Sequence, residues 1–190
     1  MADYRRWFVA GGSYFFTVVV NGRRPLFCNS QAATLLGNLM RDCIRQWPFT
    51  VNAIVLLPDH LHAIWTLARG DTEYPKRWGW IKKEFTKHWL AAGGREAAIS
   101  EASHAERRRG IWQRRYWEHT LEDEDDFERH FDYIHWNPVK HGYVRYPYEW
   151  LHSSFHRYVK RGVYDRQWGC FVGDAPRQFL FEDIRDSTGE

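Results

Sequence analysis

Two β-prone runs, residues 50–57 and 61–67, are separated by only Pro58-Asp59-His60. So short a link cannot hold a crossover, so the runs must return antiparallel as a hairpin. Along a strand, alternate side chains share a face. His60 and His62 therefore point one way, while Leu61, Ala63, Trp65 and Leu67 point the other way, into a core. Two imidazoles side by side on a rigid strand can chelate one divalent ion, and imidazole is the commonest metal-binding side chain. A His-x-His pair is also compatible with two surface or core histidines, so the pair needs company before it means chemistry.

The elements around this hairpin define a fold class. Residues 14–20 (Tyr-Phe-Phe-Thr-Val-Val-Val) are β-branched and aromatic and lie between Gly11-Gly12 and Asn21-Gly22, which predicts a strand between turns. Residues 31–47 repeat Leu35, Leu36, Leu39, Met40, Cys43 and Ile44 at helical spacing, with Ser30 as N-cap and Pro48 as terminator. Residues 74–90 predict a basic helix with Trp78, Ile81, Phe85 and Trp89 on one face. Residues 93–110 read as a loop or a short extra helix, 111–120 as a fourth strand, and 121–136 as a helix capped by Thr120 and stopped at Asn137-Pro138. A short helix is expected around 152–160. The order β-α-β-β-α-β-α implies an α+β domain on an antiparallel sheet of the ferredoxin-like kind, with helices packed on it.

Composition narrows the class of partner. The net charge is +3, but residues 122–128 hold six acids and no base, which leaves +9 on the rest of the chain. Basic groups recur at Arg5/Arg6, Arg23/Arg24, Lys82/Lys83, Arg107–Arg109, Arg114/Arg115 and Lys160/Arg161, interleaved with Tyr4, Trp7, Trp78, Trp80, Trp112, Tyr116, Trp117 and Tyr158. Cation plus ring is the pairing that grips unpaired nucleic acid, since phosphates take the charge and bases stack on rings. A solvated surface over an aromatic core gives the same composition. The three cysteines, Cys28, Cys43 and Cys170, are far apart and form no Cys-x-x-Cys, which speaks against a disulfide framework or zinc knuckle. No run approaches a membrane span, and no signal segment is recognised at the start, so a cytoplasmic protein is expected.

The second chemical feature is Asp132-Tyr133-Ile134-His135-Trp136-Asn137-Pro138. On a helical projection Phe127, Phe131 and Ile134 form an apolar stripe, and Tyr133 lies about 130° from its centre. Tyr133 is therefore expected on a polar face with Asp126, His130 and Asn137, its hydroxyl turned from the core and Asn137 one turn away. Two histidines and such a tyrosine suit phosphodiester exchange. A metal ion offsets the charge that repels nucleophiles, and the tyrosine oxygen displaces the 3′ oxygen to leave a 5′-phosphotyrosine. The phenol's proton needs an acceptor. Metal-linked water, His130 and Asp132 are all open candidates.

At these residues the chain resembles the REP-associated tyrosine transposases, single-tyrosine members of the His-hydrophobic-His transposases. The likeness covers Gly11-Gly12-Ser-Tyr-Phe-Phe-Thr-Val, Leu57-Pro58-Asp59-His60-Leu61-His62, Ile81-Lys82-Lys83-Glu84-Phe85-Thr86, Ile111-Trp112-Gln113-Arg114-Arg115-Tyr116-Trp117-Glu118-His119, and Asp132 through Gly142, five blocks in order. It implies that His60, His62 and Asn137 hold Mg²⁺ or Mn²⁺ and that Tyr133 is the nucleophile. It implies single-stranded DNA carrying palindromic hairpins as substrate, with Arg5 and Arg6 reading the hairpin foot and Lys82, Lys83, Arg114 and Arg115 among the DNA-binding groups. It implies a monomer, with the dimer of the small insertion-sequence relatives as the alternative, and residues 1–162 as the catalytic domain with 163–190 as a tail. Residues 93–110 depart from the pattern in being longer than this connection requires.

Other readings stand beside this one. Tyr116, in a basic aromatic stretch, is a rival nucleophile expected to pack or stack instead. His119, His135 and His141 could each approach a metal, but are expected instead as hydrogen-bonding or phosphate-contacting side chains. The acidic run 122–128 lacks the central Gly of a calcium loop and suits the positive end of the tyrosine helix. A non-catalytic hairpin-binding protein is the main alternative function, and a metal-dependent hydrolase a third.

Overall fold

The computed structural model describes residues 8–105, 109–169, 181, 188 and 189, side chains 103 and 104 apart. Arg5 and Arg6, Cys170 and most of the tail therefore lie outside the described residues.

Among the described residues the elements run β1 (Ser13–Val19), α1 (Ser30–Gln46), β2 (Phe49–Leu56), β3 (His60–Leu67), α2 (Tyr74–Ala91), α3 (Glu101–Ala105), β4 (Trp117–Thr120), α4 (Glu124–Lys140) and α5 (Phe155–Lys160). The four strands form one sheet in the order β2-β3-β1-β4, every pair antiparallel. This is the expected ferredoxin-like arrangement. Each β-α-β crossover skips one strand, from β1 over β3 to β2 and from β3 over β1 to β4, leaving β1 and β3 in the middle.

Period-two alternation divides the sheet between two cores. On one face Tyr14, Phe16, Val18, Leu61, Ala63 and Trp65 pack with Leu36, Leu39 and Met40 of α1 and Trp78, Ile81 and Phe85 of α2. Trp65 and Trp78 stack there, 4.2 Å between ring centroids. On the other face Phe15, Ala53, Val55, Leu57 and Ile64 pack against Tyr133 and Ile134 of α4. Apart from the half-buried Thr66, β3 is buried along its whole length, so His60 and His62 face α4 from inside the molecule.

Several boundaries differ from the sequence reading. The N-cap of α1 is Asn29, whose side chain accepts from Gln31 N and Ala32 N, rather than Ser30. Asp123, not Thr120, caps α4 by accepting from Asp126 N. The predicted strand over 111–120 is split. Trp112 forms an isolated bridge to Val20, and only Trp117–Thr120 joins the ladder, because Arg114 and Arg115 between them turn out to solvent.

Helix α4 does not stop before Pro138 but runs on to Lys140 with Pro138 inside it. Proline costs about 3 kcal/mol in a helix interior. The last turn also buries Trp136 and Val139, and a large apolar side chain recovers about 1.5–3 kcal/mol on burial, so packing wins. The helix ends where Gly142 adopts φ 69°, the left-handed backbone of a C-terminal cap.

Candidate active site

Register on the central strands sets the two histidines. His60 lies opposite Val19 and His62 opposite Thr17, and their ring centroids are 4.9 Å apart. Each imidazole is tied down through Nδ1. His60 Nδ1 is 2.6 Å from Asp59 Oδ1, and His62 Nδ1 is 2.9 Å from Thr17 Oγ1. The Thr17 hydroxyl donates its one hydrogen to the Thr188 carbonyl, so it accepts from His62 Nδ1–H. Both rings then carry their proton on Nδ1 and their lone pair on Nε2, the arrangement that outer partners impose on metal-ligating histidines. Burial alone would raise the Asp59 pKa, but the hydrogen bond from His60 and the nearby Arg23 guanidinium hold it below the usual value.

Helix α4 lays its polar side against the sheet, not towards solvent. Tyr133 is 2% exposed, and its ring centroid sits 5.5 Å from His62 and 6.2 Å from Phe15. His130 and Asn137, on the same face, are fully buried. The expectation that the Tyr133 hydroxyl turns from the core is thus corrected. α4 is covered twice, because its stripe of Phe127, Phe131 and Ile134 is packed too, Phe131 lying 4.7 Å from the Tyr158 ring of α5. A helix buried on two sides has no single inside for a projection to find.

The Tyr133 oxygen accepts a 2.7 Å hydrogen bond from Lys140 Nζ, a residue the sequence reading did not single out. The signal was available as an i, i+7 spacing, two turns along one face. Both side-chain polar atoms of Asn137 are buried without a hydrogen-bond partner among the described residues.

The candidate bases are engaged elsewhere. Burial lowers the His130 pKa against the opposing pull of Asp126, which lies 3.0 Å from its Nδ1. Burial raises that of Asp132, which accepts a hydrogen bond from the Tyr164 hydroxyl. Tyr116 packs on Phe16 and Trp78, on the opposite face of the sheet from Tyr133. His135 is a hydrogen-bonding residue, its Nε2 2.8 Å from Ser154 Oγ. The His141 ring lies 5.4 Å from His60. Phe181 of the tail reaches the site, 5.7 Å from the Tyr133 ring.

Two further groups of side chains were expected only in part. Lys82, Lys83 and Arg114, with Lys87, Arg109 and Trp112, line an open groove of about 600 Å³ beside α2. Lys82 is already engaged there. Its Nζ donates to the Gln113 carbonyl at 2.6 Å, and burial pulls its pKa down to about 8. His119 and His130 close on Asp126, from the acidic run, as a group that could hold a metal ion. Sequence reading placed Asp126 and His130 on one face but had no means of bringing His119 to them.

No family model matches the chain. A REP-associated tyrosine transposase of Escherichia coli (strain K12) is 41% identical over 178 residues, 92% of this chain and 94% of that protein. A Haemophilus influenzae relative carrying the same family name is 40% identical over 169 residues, 89% of this chain and 94% of its own length. The solved structure of a REP-associated tyrosine transposase bound to a REP hairpin superposes with a TM-score of 0.74 at 39% identity, covering 92% of this chain and 95% of that one. With this identity sustained over nearly the full length, the chain belongs to the REP-associated tyrosine transposases.

Proposed function

We propose that this chain cleaves and rejoins single-stranded DNA at palindromic hairpins, with Tyr133 as nucleophile and His60, His62 and Asn137 as ligands of Mg²⁺ or Mn²⁺. One observation carries the reading: two imidazoles on β3 and the Tyr133 ring on α4 meet across a buried interface, 5.5 Å from His62 to Tyr133. The residues suit a metal. Both histidines are oriented through Nδ1, and the Asn137 amide is a buried polar group for which a ligand's role would supply the missing partner. Such an ion, when bound, offsets the charge of the phosphate and aligns it for attack.

The protein's own part is positional. The Tyr133 oxygen displaces the 3′ oxygen of the scissile phosphate, leaving a 5′-phosphotyrosine and a free 3′-OH. Attack by a new 3′-OH reverses the exchange, and the total charge of the diester is unchanged. On reversal the tyrosine oxygen leaves with negative charge, and the Lys140 ammonium at 2.7 Å stabilises it. The groove of Lys82, Lys83 and Arg114, with Arg115 and the N-terminal Arg5 and Arg6, takes the phosphates of the hairpin and its foot. That a relative was solved on a REP hairpin supports this choice of substrate.

The test is a labelled single-stranded palindrome with Mn²⁺, run on a denaturing gel. A covalent adduct present in the parent and in Tyr116→Phe, and lost in Tyr133→Phe, is expected. An adduct that persists in Tyr133→Phe overturns the assignment. Tight hairpin binding with no adduct under either metal would make this a binding protein.

A further inference from the structure

The tyrosine helix carries a second set of ligating groups that shares no residue with the site above. His119 stands on β4 directly across from Phe15 of β1, while Asp126 and His130 lie one turn apart on α4. Each offers one ligand atom, and the three atoms lie within 4.8 Å of one another. The carboxylate spans the gap: Asp126 Oδ2 is 2.8 Å from His119 Nε2, and Oδ1 is 3.0 Å from His130 Nδ1. The two imidazoles stack at 4.8 Å, 22° from parallel. His130 is fully buried, whereas His119 and Asp126 are partly exposed, so an ion can enter from their side.

We propose that His119, Asp126 and His130 bind one divalent transition-metal ion of the Zn²⁺ class, which fastens α4 to β4. Two imidazoles and a carboxylate with a fourth position left for water form a donor set that Zn²⁺ accepts, whereas Mg²⁺ prefers oxygen throughout. Tetrahedral Zn²⁺ at ordinary bond lengths needs ligand atoms about 3.3 Å apart, so the side chains need only small shifts. The hydrogen bonds through Asp126 keep the three groups together and so preorganise the site. The cross-link has mechanical work to do. β4 is only four residues long and forms an edge of the sheet, so few backbone bonds hold it. His130 precedes Tyr133 by one turn on the same buried face, and the Phe15 ring packs on both His130 and His62. An ion at this point therefore sets the height of Tyr133 over the sheet.

The test uses the full chain, stripped of metal, with His60→Ala/His62→Ala removing the other imidazole pair. This double variant is expected to bind one equivalent of Zn²⁺, to melt at a higher temperature with it, and to give a Co²⁺ visible spectrum. Adding His119→Gln, whose amide can keep the contact with Asp126, should weaken Zn²⁺ by roughly tenfold or more and abolish the thermal shift. No binding by the double variant, or equal binding after His119→Gln, overturns the proposal. Should the double variant fail to fold by circular dichroism, the parent chain is titrated with Co²⁺ against His119→Gln alone. The single variant is then expected to bind one equivalent fewer, and equal stoichiometry overturns the proposal. None of these readouts depends on strand exchange.

Discussion

The ammonium of Lys140 lies 2.7 Å from the phenol oxygen of Tyr133 and 4.8 Å from the centroid of its ring, two helical turns along α4. A cation so placed favours negative charge on that oxygen, which the proposed exchange calls for both in attack by Tyr133 and in its release.

Lys140→Met, which keeps the aliphatic stem, should slow adduct formation and its reversal by about 10²–10³-fold, the usual cost of removing one donor to a developing oxyanion. Hairpin affinity should stay close to that of the parent. Single-turnover kinetics in both directions measure this, and an unchanged rate would reduce Lys140 to a packing residue.

Asn137→Leu should separate stability from function. The amide is buried with neither polar atom paired among the described residues, and an unpaired buried group costs about 1–3 kcal/mol. Leucine of similar volume should therefore raise the urea midpoint without changing the slope, while metal-dependent adduct formation is lost. A lower midpoint would mean that the amide is satisfied in the folded chain.

Acid sensitivity should trace to His135. Burial pushes its pKa down to about 3, the Phe131 backbone opposing and the Arg157 charge assisting. In the unfolded chain an imidazole titrates near 6.5. Between these values the unfolded state binds a proton that the folded state refuses. Stability from this group is complete above about pH 6.5 and falls as pH drops towards 3. His130, also lowered, adds in the same direction. Urea unfolding from pH 4 to 7 should show a shallower pH slope for His135→Gln than for the parent.

Salt should discriminate among the groove lysines. Lys83 is open to solvent, whereas Lys82 is held on the Gln113 carbonyl. Lys83→Ala and Arg114→Ala should each lower the slope of log affinity against log salt by about 0.7–1, one phosphate contact. Lys82→Met should change it less. Fluorescence anisotropy on a labelled hairpin reads all three.

The hairpin, the shared face of His60 and His62, and the order of strands and helices were legible because they depend on local rules. Two β runs with three residues between them can only pair antiparallel, and alternation then assigns the side chains of β3 to their faces. The register shift between Val51 and Ala53 in β2 was not legible. Other local choices were closer contests. Asn29 and Ser30 are both good caps, and only the backbone angles of the folded chain show that Asn29 holds the position.

The surroundings of Tyr133 were decided by packing over long sequence distances. Its helix is covered on both sides, so the face that carries Asp126, His130 and Asn137 became an interior face against β3. β1 pairs with β3 and β4 at once, and that sets His62 and His119 on one side of the sheet although 57 residues separate them in the chain. The amino-acid order by itself determined which residues are chemically able to act and which way each points along its own element. Which of them meet was left to the tertiary structure, because strand pairing and burial bring together groups that no local periodicity connects.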